Sequence, residues 1–249
     1  MSTATLFDVE KVLQKKSWWA IIFILPLARR LSLFFINRTN ITPNAITLFA
    51  FLFVPIAAFF YLTGTYAGLV LGALFFEINY LFDCMDGTVA RVKGMSSPVG
   101  GYLDAMLDRV RILLLCLALG YGQWRSGGSV VLLFWLMFYL GVNNLIIITR
   151  GYQERALAKA GFASRLGVDL VGGDNSSILG RWVSFTGRRN LMPYYHDVEL
   201  DALVFLVGPL MGQTLVAVQV AVVAGLALVL ALNIIFLRSL AAKQKSSGG

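Results

Sequence analysis

Long apolar runs, separated by short polar turns, occupy most of this chain. A helix needs about 20 apolar residues to cross the hydrocarbon layer of a bilayer. By that criterion the hydropathy pattern predicts six spanning helices. Their approximate ranges are 44–63, 66–91, 99–120, 130–150, 195–213 and 214–237. The sequence therefore predicts an all-α integral membrane protein.

The apolar segment 18–36, which precedes these runs, has an interrupted pattern. Pro26 breaks it, Arg29 and Arg30 lie near its middle, and two tryptophans stand at its start. Tryptophans and long basic side chains are typical of helices that lie at the lipid–water interface. We therefore expect an N-terminal interfacial amphipathic helix here. The predicted organisation is a cytoplasmic N-terminus with the interfacial helix at 1–43, a six-span domain at 44–240, and a flexible tail at 241–249.

Composition supports the membrane class and limits the partners. Of 249 residues, 58% are hydrophobic and only 14% are charged, and the mean hydropathy is +0.75. Soluble domains carry about 25% charged residues. The formal charge of +8 could indicate nucleic acid, but the basic residues flank apolar runs and form no stripe with interleaved aromatic residues. We therefore expect no nucleic-acid partner, and instead membrane lipids and phosphorylated substrates.

The distribution of lysine and arginine predicts the orientation in the membrane. Arg125 is the only basic residue in the three connections on one side, whereas the other basic residues lie at or near the opposite face. Basic connections are retained on the cytoplasmic side of a membrane. The sequence therefore predicts cytoplasmic termini, an even number of spans, and a location in the cell inner or cytoplasmic membrane.

An acidic pattern near the ends of the second and third predicted spans is the strongest candidate for function. It reads Asp-x2-Asp-Gly-x2-Ala-Arg-x8-Gly-x3-Asp-x3-Asp from residue 83. Its fixed positions are Asp83, Asp86, Gly87, Ala90, Arg91, Gly100, Asp104 and Asp108. Carboxylates are costly at membrane depth and are retained there mainly when they are paired, hydrated or bound to a metal. Hard oxygen ligands favour Mg²⁺, Mn²⁺ or Ca²⁺ over zinc, so the pattern predicts a divalent-cation site on the cytosolic side.

Helical periodicity predicts that the pattern forms two facing surfaces. The fixed positions recur at i, i+3, i+4 and i+7 from residue 83, and at i, i+4 and i+8 from residue 100. Each group therefore shares one helix face. The short turn 92–98, with Gly94 and Pro98, returns the second helix antiparallel to the first. The pattern's four carboxylates then surround one cleft, and two divalent cations about 4 Å apart could neutralise them and clamp a phosphoryl displacement.

The complete pattern resembles the signature of the CDP-alcohol phosphotransferase family, and every fixed position and gap is met over 26 residues. The six-span plan and the N-terminal interfacial segment are also similar to that family. The resemblance implies that an alcohol hydroxyl attacks a phosphorus of a CDP-linked substrate and releases CMP. It implies a CDP-linked lipid donor such as CDP-diacylglycerol, a polar alcohol acceptor, and a role in phospholipid biosynthesis.

The resemblance also implies roles for residues at matching positions. Asp108 would be the general base and a ligand or neighbour of the second metal ion. A pair of Mg²⁺ or Mn²⁺ ions would be held by Asp83, Asp86, Asp104 and Asp108. The nucleotide would contact Thr42, Pro43, Asn44, Asp83, Gly87, Ala90, Arg91 and Gly100. Thr42 and Pro43 are also typical of a capped helix start, and both interpretations can hold together.

Arginines near the cytoplasmic ends of the later spans could select the acceptor, because guanidinium groups bind phosphate by bidentate contacts. The candidates are Arg109, Arg150, Arg155, Arg188 and Arg189. The alternative for each is a headgroup anchor that follows the positive-inside bias. Arg109 directly follows Asp108 and points about 100° around the helix from it, so a lipid phosphate is another partner for this side chain.

Several alternatives stay open at this point. A CDP-linked headgroup could instead be transferred to a lipid alcohol. An intramembrane prenyltransferase also uses aspartate-rich magnesium sites, but normally in two separate clusters. A transporter or cation channel would predict broken helices in corresponding halves and an internal repeat, and the sequence shows neither. Small residues along 214–237 predict close helix packing and a homodimer.

Overall fold

A computed structural model describes residues 4–12, 17–159, 178–188, 191–192 and 194–247. Within these ranges the regular secondary structure is helical, which confirms the all-α class. The first five helices are α1 (Leu6–Lys11), α2 (Ala20–Arg38), α3 (Pro43–Phe51), α4 (Phe53–Leu62) and α5 (Tyr66–Val92). They are followed by α6 (Pro98–Arg125), α7 (Val131–Lys159) and α8 (Ile178–Gly187). Next comes α9, which joins Asp197–Ala202, the π-helical turn Leu203–Val207 and Gly208–Leu210, and the last helix is α10 (Thr214–Ser247).

Five helical segments among the described residues are long and apolar enough to cross a membrane. They are Ala20–Arg38, Pro43–Leu62, Tyr66–Val92, Val131–Lys159 and Thr214–Arg238. The second of these segments consists of α3 and α4. Four segments correspond to predicted spans, namely 44–63, 66–91, 130–150 and 214–237. The membrane class is therefore confirmed, whereas the predicted count of six spans is not.

Three helices account for the difference in count. The predicted third span forms the 28-residue α6, but the polar half of this helix carries more charges than an ordinary span. The predicted fifth span at 195–213 forms the shorter α9, which begins at Asp197 and ends at Leu210, before the turn at Gly212, where φ is +64°. The predicted interfacial helix forms α2, which is long enough to cross. Its π-helical turn Ala20–Ile24 leads into a new α-helical segment at Leu25, so Pro26 lies in a first turn, where proline is tolerated.

Polar caps begin the helices that frame the acidic pattern. The Thr42 hydroxyl accepts a hydrogen bond of 3.3 Å from the Ala45 amide at the start of α3. The Ser97 hydroxyl accepts one of 3.0 Å from the Gly100 amide at the start of α6. Each cap satisfies an amide that has no partner within its own helix. The predicted cap at Thr42 is therefore present, and both helices start at sharply defined positions.

Helix α5 lies at the centre of the N-terminal half, where it packs against α2, α3 and α4, while α7 packs against α6 and α10. The core between these helices includes the fully buried Tyr61, Leu119 and Leu136. Small residues allow close approach in places. An added Cβ at Gly122 of α6 would lie 2.0 Å from the Tyr61 carbonyl oxygen, so only glycine fits there. Such close backbone approach is typical of helix packing in membranes.

One lysine connects the two helices whose ends frame the site. The Lys93 ammonium group follows α5 and donates to the carbonyl oxygens of Thr39, at 3.0 Å, and of Ile41, at 3.2 Å. These carbonyls belong to the segment that enters α3. The contacts hold the start of α3 against the end of α5, and the acidic pattern lies beside that junction.

Candidate functional site

Three aspartates of the acidic pattern come together where α5 and α6 face each other. Asp83 lies on α5, and Asp104 and Asp108 lie one turn apart on α6. Each offers one carboxylate oxygen, and these oxygens all lie within 4.8 Å of one another. The three side chains are partly buried. The structure thus brings together residues that helical periodicity predicts on facing surfaces.

Asp86, the fourth carboxylate of the pattern, lies outside this group of three. Its side chain is 5% exposed, and its Oδ2 accepts a hydrogen bond of 2.5 Å from the Thr47 hydroxyl on α3. Thr47 was not among the residues that the sequence indicates. Its position one turn after Pro43, within the helix start already identified, was the available signal. Asp86 thus joins α3 to α5 through one carboxylate oxygen, and it lines the same cleft as Asp104.

A cleft of about 180 Å³ opens beside the carboxylates, between the starts of α3 and α6 and the end of α5. It contains most of the residues that the resemblance assigns to the nucleotide. Its lining includes Pro43, Asn44, Asp86, Gly87, Ala90, Arg91, Gly100 and Asp104. Thr42 caps the helix that supplies Pro43 and Asn44 to this lining. The cleft therefore combines a helix N-terminus, an arginine and carboxylates, which suits a phosphate group together with a cation.

Two glycines keep the cleft open. A Cβ added at Gly100 would lie 2.9 Å from the Asn44 Oδ1 and 3.2 Å from the Ser97 Oγ. At Gly87 the added atom would lie 3.3 Å from Nη1 of Arg91, whose guanidinium lies over this part of α5. A side chain at either position would compete with the groups that line the cleft. The effect of a side chain at either position would thus be steric, because neither position has a positive φ.

Arg111 is a second residue that sequence reasoning missed. It lies three residues after Asp108 on α6, and its Nη2 is 2.9 Å from Asp108 Oδ1. Its Nη1 lies 3.8 Å from Asp83 Oδ1 and donates a 2.9 Å hydrogen bond to Asn79 Oδ1. Acidic and basic residues three apart on a helix can pair, and that spacing was the available signal. The three clustered carboxylates therefore have a cationic neighbour in Arg111.

A comparison with known protein families covers the helices that carry the acidic pattern. A profile of the CDP-alcohol phosphatidyltransferase family matches residues 40–167, which include the three carboxylates and the whole cleft. The chain belongs to this family. The match begins just before the Thr42 cap and covers α3 to α7.

Individual proteins similar to this chain align with it over shorter stretches than the family profile does. An uncharacterized protein of Aquifex aeolicus is 34% identical over 103 residues, which is 40% of this chain and 50% of that protein. Archaetidylinositol phosphate synthase of Pyrococcus horikoshii is 35% identical over 72 residues, 28% of this chain and 36% of the relative. The enzyme of the same name from Aeropyrum pernix is 38% identical over 77 residues, 30% of this chain and 38% of the relative. The aligned part thus spans half or less of each relative's length.

The carboxylates of this family member fit a divalent cation. Asp83, Asp104 and Asp108 offer oxygen ligands at close separation, and oxygen is the ligand that Mg²⁺ and Mn²⁺ prefer. Histidine and cysteine are absent from this group of three, so its donor set does not favour zinc. The cluster could therefore hold ions of the magnesium class.

The arginines predicted to select the acceptor do not form one group. Arg109 donates to Asn143 of α7 at 2.5 Å. Arg150 is largely buried, where its Nη1 lies 3.4 Å from Asp197 and its guanidinium lies over the Tyr194 ring. Arg155 and Arg188 are exposed. Arg189 lies outside the described residues. A lipid phosphate would therefore have to compete with Asn143 for the Arg109 side chain.

Proposed function

We propose that this protein transfers a phosphatidyl group from a CDP-linked lipid, such as CDP-diacylglycerol, to a polar alcohol and releases CMP, as a step of phospholipid biosynthesis. The observation that carries the proposal is the grouping of Asp83, Asp104 and Asp108 beside a cleft that also contains Arg91. Carboxylates for cations, a cationic donor and a helix N-terminus are the groups that a nucleotide diphosphate requires.

In the proposed mode of binding, the cleft holds the CDP portion of the donor. The N-terminus of α3 and the Arg91 guanidinium offer positive groups to the phosphates, and Gly87 and Gly100 leave room for them. Asp83, Asp86, Asp104 and Asp108 are the proposed holders of one or two Mg²⁺ or Mn²⁺ ions. Bound cations would neutralise the phosphate oxygens and the charge that develops on the leaving group.

The proposed reaction is a direct displacement at the phosphorus that carries the lipid. The alcohol oxygen forms a new bond to this phosphorus, the bond from phosphorus to the oxygen of CMP breaks, and CMP leaves with that electron pair. The alcohol proton passes to the Asp108 carboxylate, which lies on the same face of α6 as Asp104. A carboxylate at hydrogen-bonding distance from the alcohol can serve as this base. No covalent enzyme intermediate is required.

The acceptor that we propose is a phosphorylated polyol. Two similar proteins are archaetidylinositol phosphate synthases, which supports an inositol phosphate or a related compound. Arg150 is one candidate ligand, and its guanidinium already lies 3.4 Å from Asp197 and over the Tyr194 ring. Arg109, Arg155, Arg188 and Arg189 are further candidates. Transfer of a CDP-linked headgroup to a lipid alcohol is the second candidate reaction.

The orientation that we propose has both termini and the cleft on the cytoplasmic side, as the basic residues predict. We also propose a homodimer, supported by the small residues Ala227 and Ala231, which lie one turn apart on the exposed surface of α10 and would allow close helix packing. A cysteine-labelling experiment with a membrane-impermeant reagent tests the orientation. Chemical cross-linking in native membranes tests the dimer.

The decisive assay follows CMP release from CDP-diacylglycerol by the purified full-length protein in detergent. Inositol phosphate, glycerol phosphate, inositol and serine are supplied as separate acceptors, with Mg²⁺ or with EDTA. The proposal predicts CMP release that requires both Mg²⁺ and an acceptor, with a phosphorylated acceptor preferred. Absence of CMP release with all four acceptors would reject a CDP-diacylglycerol donor. CMP release from a CDP-linked headgroup with diacylglycerol as acceptor would favour the second candidate reaction.

A further inference from the structure

Arg111 is a buried cation in contact with the proposed base. Its side chain is 7% exposed, and its Nη2 lies 2.9 Å from Asp108 Oδ1. A buried guanidinium is costly unless it is paired and hydrogen-bonded. The contact with Asp108 therefore restrains both side chains, because movement of either one would leave a buried charge without its partner.

A second set of contacts fixes the guanidinium itself. Its Nη1 donates to Asn79 Oδ1 at 2.9 Å, and Asn79 Nδ2 donates in turn to the Ala50 carbonyl oxygen at 2.9 Å. Asn79 lies on α5 and is 3% exposed, while Ala50 lies on α3. The chain of contacts thus runs from the backbone of α3 through α5 to Asp108 on α6. A side chain held at both ends has little rotational freedom left to lose during the reaction.

A further carboxylate near Arg111, that of Asp201, helps to compensate its charge. Asp201 of α9 is 4% exposed and lines the same small cavity as Arg111, with a volume of about 10 Å³. Its Oδ1 accepts hydrogen bonds from the Tyr139 hydroxyl and, at 3.0 Å, from Asn143 Nδ2. Cations bound to the carboxylates would repel the guanidinium. The Asp201 carboxylate offsets that repulsion, so Arg111 can stay in place when cations are bound.

We propose that Arg111 is a positioning residue that holds the Asp108 carboxylate in the orientation needed to accept the alcohol proton. This inference rests on the proposed function. Arg111 acts through Asp108 and does not itself contact the substrate. Because its charge also competes with cations for the carboxylates, its loss has two opposite effects. Turnover falls, while cation affinity rises.

The test compares Arg111→Gln and Arg111→Lys with wild-type protein. We expect Arg111→Gln to lower kcat by about 10- to 100-fold with little change in KM for CDP-diacylglycerol, because a misplaced catalytic group affects the chemical step. Arg111→Lys retains the charge but not the bidentate geometry of the guanidinium. Its kcat should therefore lie between those of wild type and Arg111→Gln. Inositol phosphate and glycerol phosphate serve as acceptors, at saturating Mg²⁺.

Mn²⁺ binding to the purified protein, measured by electron paramagnetic resonance, provides a readout that does not depend on turnover. We expect Arg111→Gln to bind Mn²⁺ about 3- to 30-fold more tightly than wild type, since a positive charge beside the carboxylates is lost. A merely structural defect would weaken Mn²⁺ binding and turnover together. The control is Gln153→Met, which removes a buried hydrogen bond of 3.2 Å to Asn233. Neither residue lines the cleft, so kcat should be unchanged.

The outcomes are distinguishable from failure of the proposed function. If wild-type protein releases no CMP, the proposed function fails, and the Mn²⁺ measurement still decides whether Arg111 opposes cation binding. An Arg111→Gln protein with wild-type kcat, or with weakened Mn²⁺ binding, would overturn the inference. If this variant does not fold, Asn79→Ala decides instead. It removes the acceptor that holds the guanidinium and should lower kcat by a smaller factor, so an unchanged kcat would refute the positioning role.

Discussion

The Thr47 hydroxyl on α3 lies 2.5 Å from the Asp86 carboxylate on α5, and both side chains are buried. This hydrogen bond joins the helix that begins at the cleft to the helix that carries the first half of the acidic pattern. It also fixes one carboxylate oxygen of Asp86, which lines the same cleft as Asp104 but lies outside the group formed by Asp83, Asp104 and Asp108. The position of Asp86 in the cleft wall therefore depends on a residue outside the acidic pattern.

Replacement of Thr47 by valine tests this dependence. Valine keeps the shape of the side chain but leaves the buried Asp86 oxygen without its donor, which costs about 1–3 kcal/mol. We expect kcat/KM for CDP-diacylglycerol to fall by about tenfold or more. Thr47→Ser is the matched control, because it keeps the hydroxyl. Wild-type activity in Thr47→Val would show that the contact is not required.

Replacement of Gly100 by alanine tests the use of the cleft by the nucleotide. The added methyl group would lie 2.9 Å from Asn44 Oδ1, so Asn44 must move within the cleft wall. We expect a KM for CDP-diacylglycerol that is higher by about 3- to 30-fold, which corresponds to a loss of about 0.6–2 kcal/mol of binding. Steady-state kinetics measures the change.

Gly141→Ala is the control for this substitution. Gly141 lies on α7, and an added Cβ there would have no neighbour within 4 Å. Its kinetics should equal those of wild type. A Gly100→Ala enzyme with unchanged KM would place the nucleotide elsewhere.

Removal of a single carboxylate tests the metal site directly. Asp83→Ala and Asp104→Ala each remove one of the three clustered oxygen ligands. Loss of a direct ligand should weaken Mn²⁺ binding by at least about tenfold, because changes outside the ligand shell already cost 10- to 100-fold. Titration followed by electron paramagnetic resonance provides the affinity. Asp8→Asn, an exposed N-terminal change, is the control. Unchanged Mn²⁺ affinity in the first two variants would argue against ligand roles for these residues.

Local sequence patterns predicted the elements of the site well. The helical spacing from Asp83 and from Gly100 predicted two facing surfaces, and the structure brings Asp83, Asp104 and Asp108 together between α5 and α6. The Thr42 cap followed from local propensity alone. Such features depend on residues close in sequence, so periodicity and capping rules suffice to predict them.

Features that depend on distant contacts were not predicted. Thr47 and Arg111 acquire their significance from partners on other helices, which a single sequence does not identify. The hydrogen bond from Thr47 to Asp86 was missed for the same reason. The interfacial placement of α2 stays a prediction. The helix is long and apolar enough to cross a membrane, and Pro26 falls in the first turn of its second helical segment and does not interrupt it. Hydropathy likewise predicted a full span at 195–213, whereas the helix there runs only from Asp197 to Leu210.

The rate of CMP release by Asp108→Asn, relative to wild type, is the most direct test of the proposed reaction. Asparagine is nearly the same size as aspartate but cannot accept the alcohol proton as a carboxylate does. Asparagine leaves the buried Arg111 guanidinium without one charged partner, but Arg111 keeps its contact of 3.8 Å with Asp83 and its hydrogen bond to Asn79. Thermal unfolding in detergent checks that the variant is folded. With CDP-diacylglycerol, Mg²⁺ and the acceptor preferred by wild type, we expect CMP release to fall below detection. CMP release at the wild-type rate by folded Asp108→Asn would contradict the assignment of Asp108 as the base.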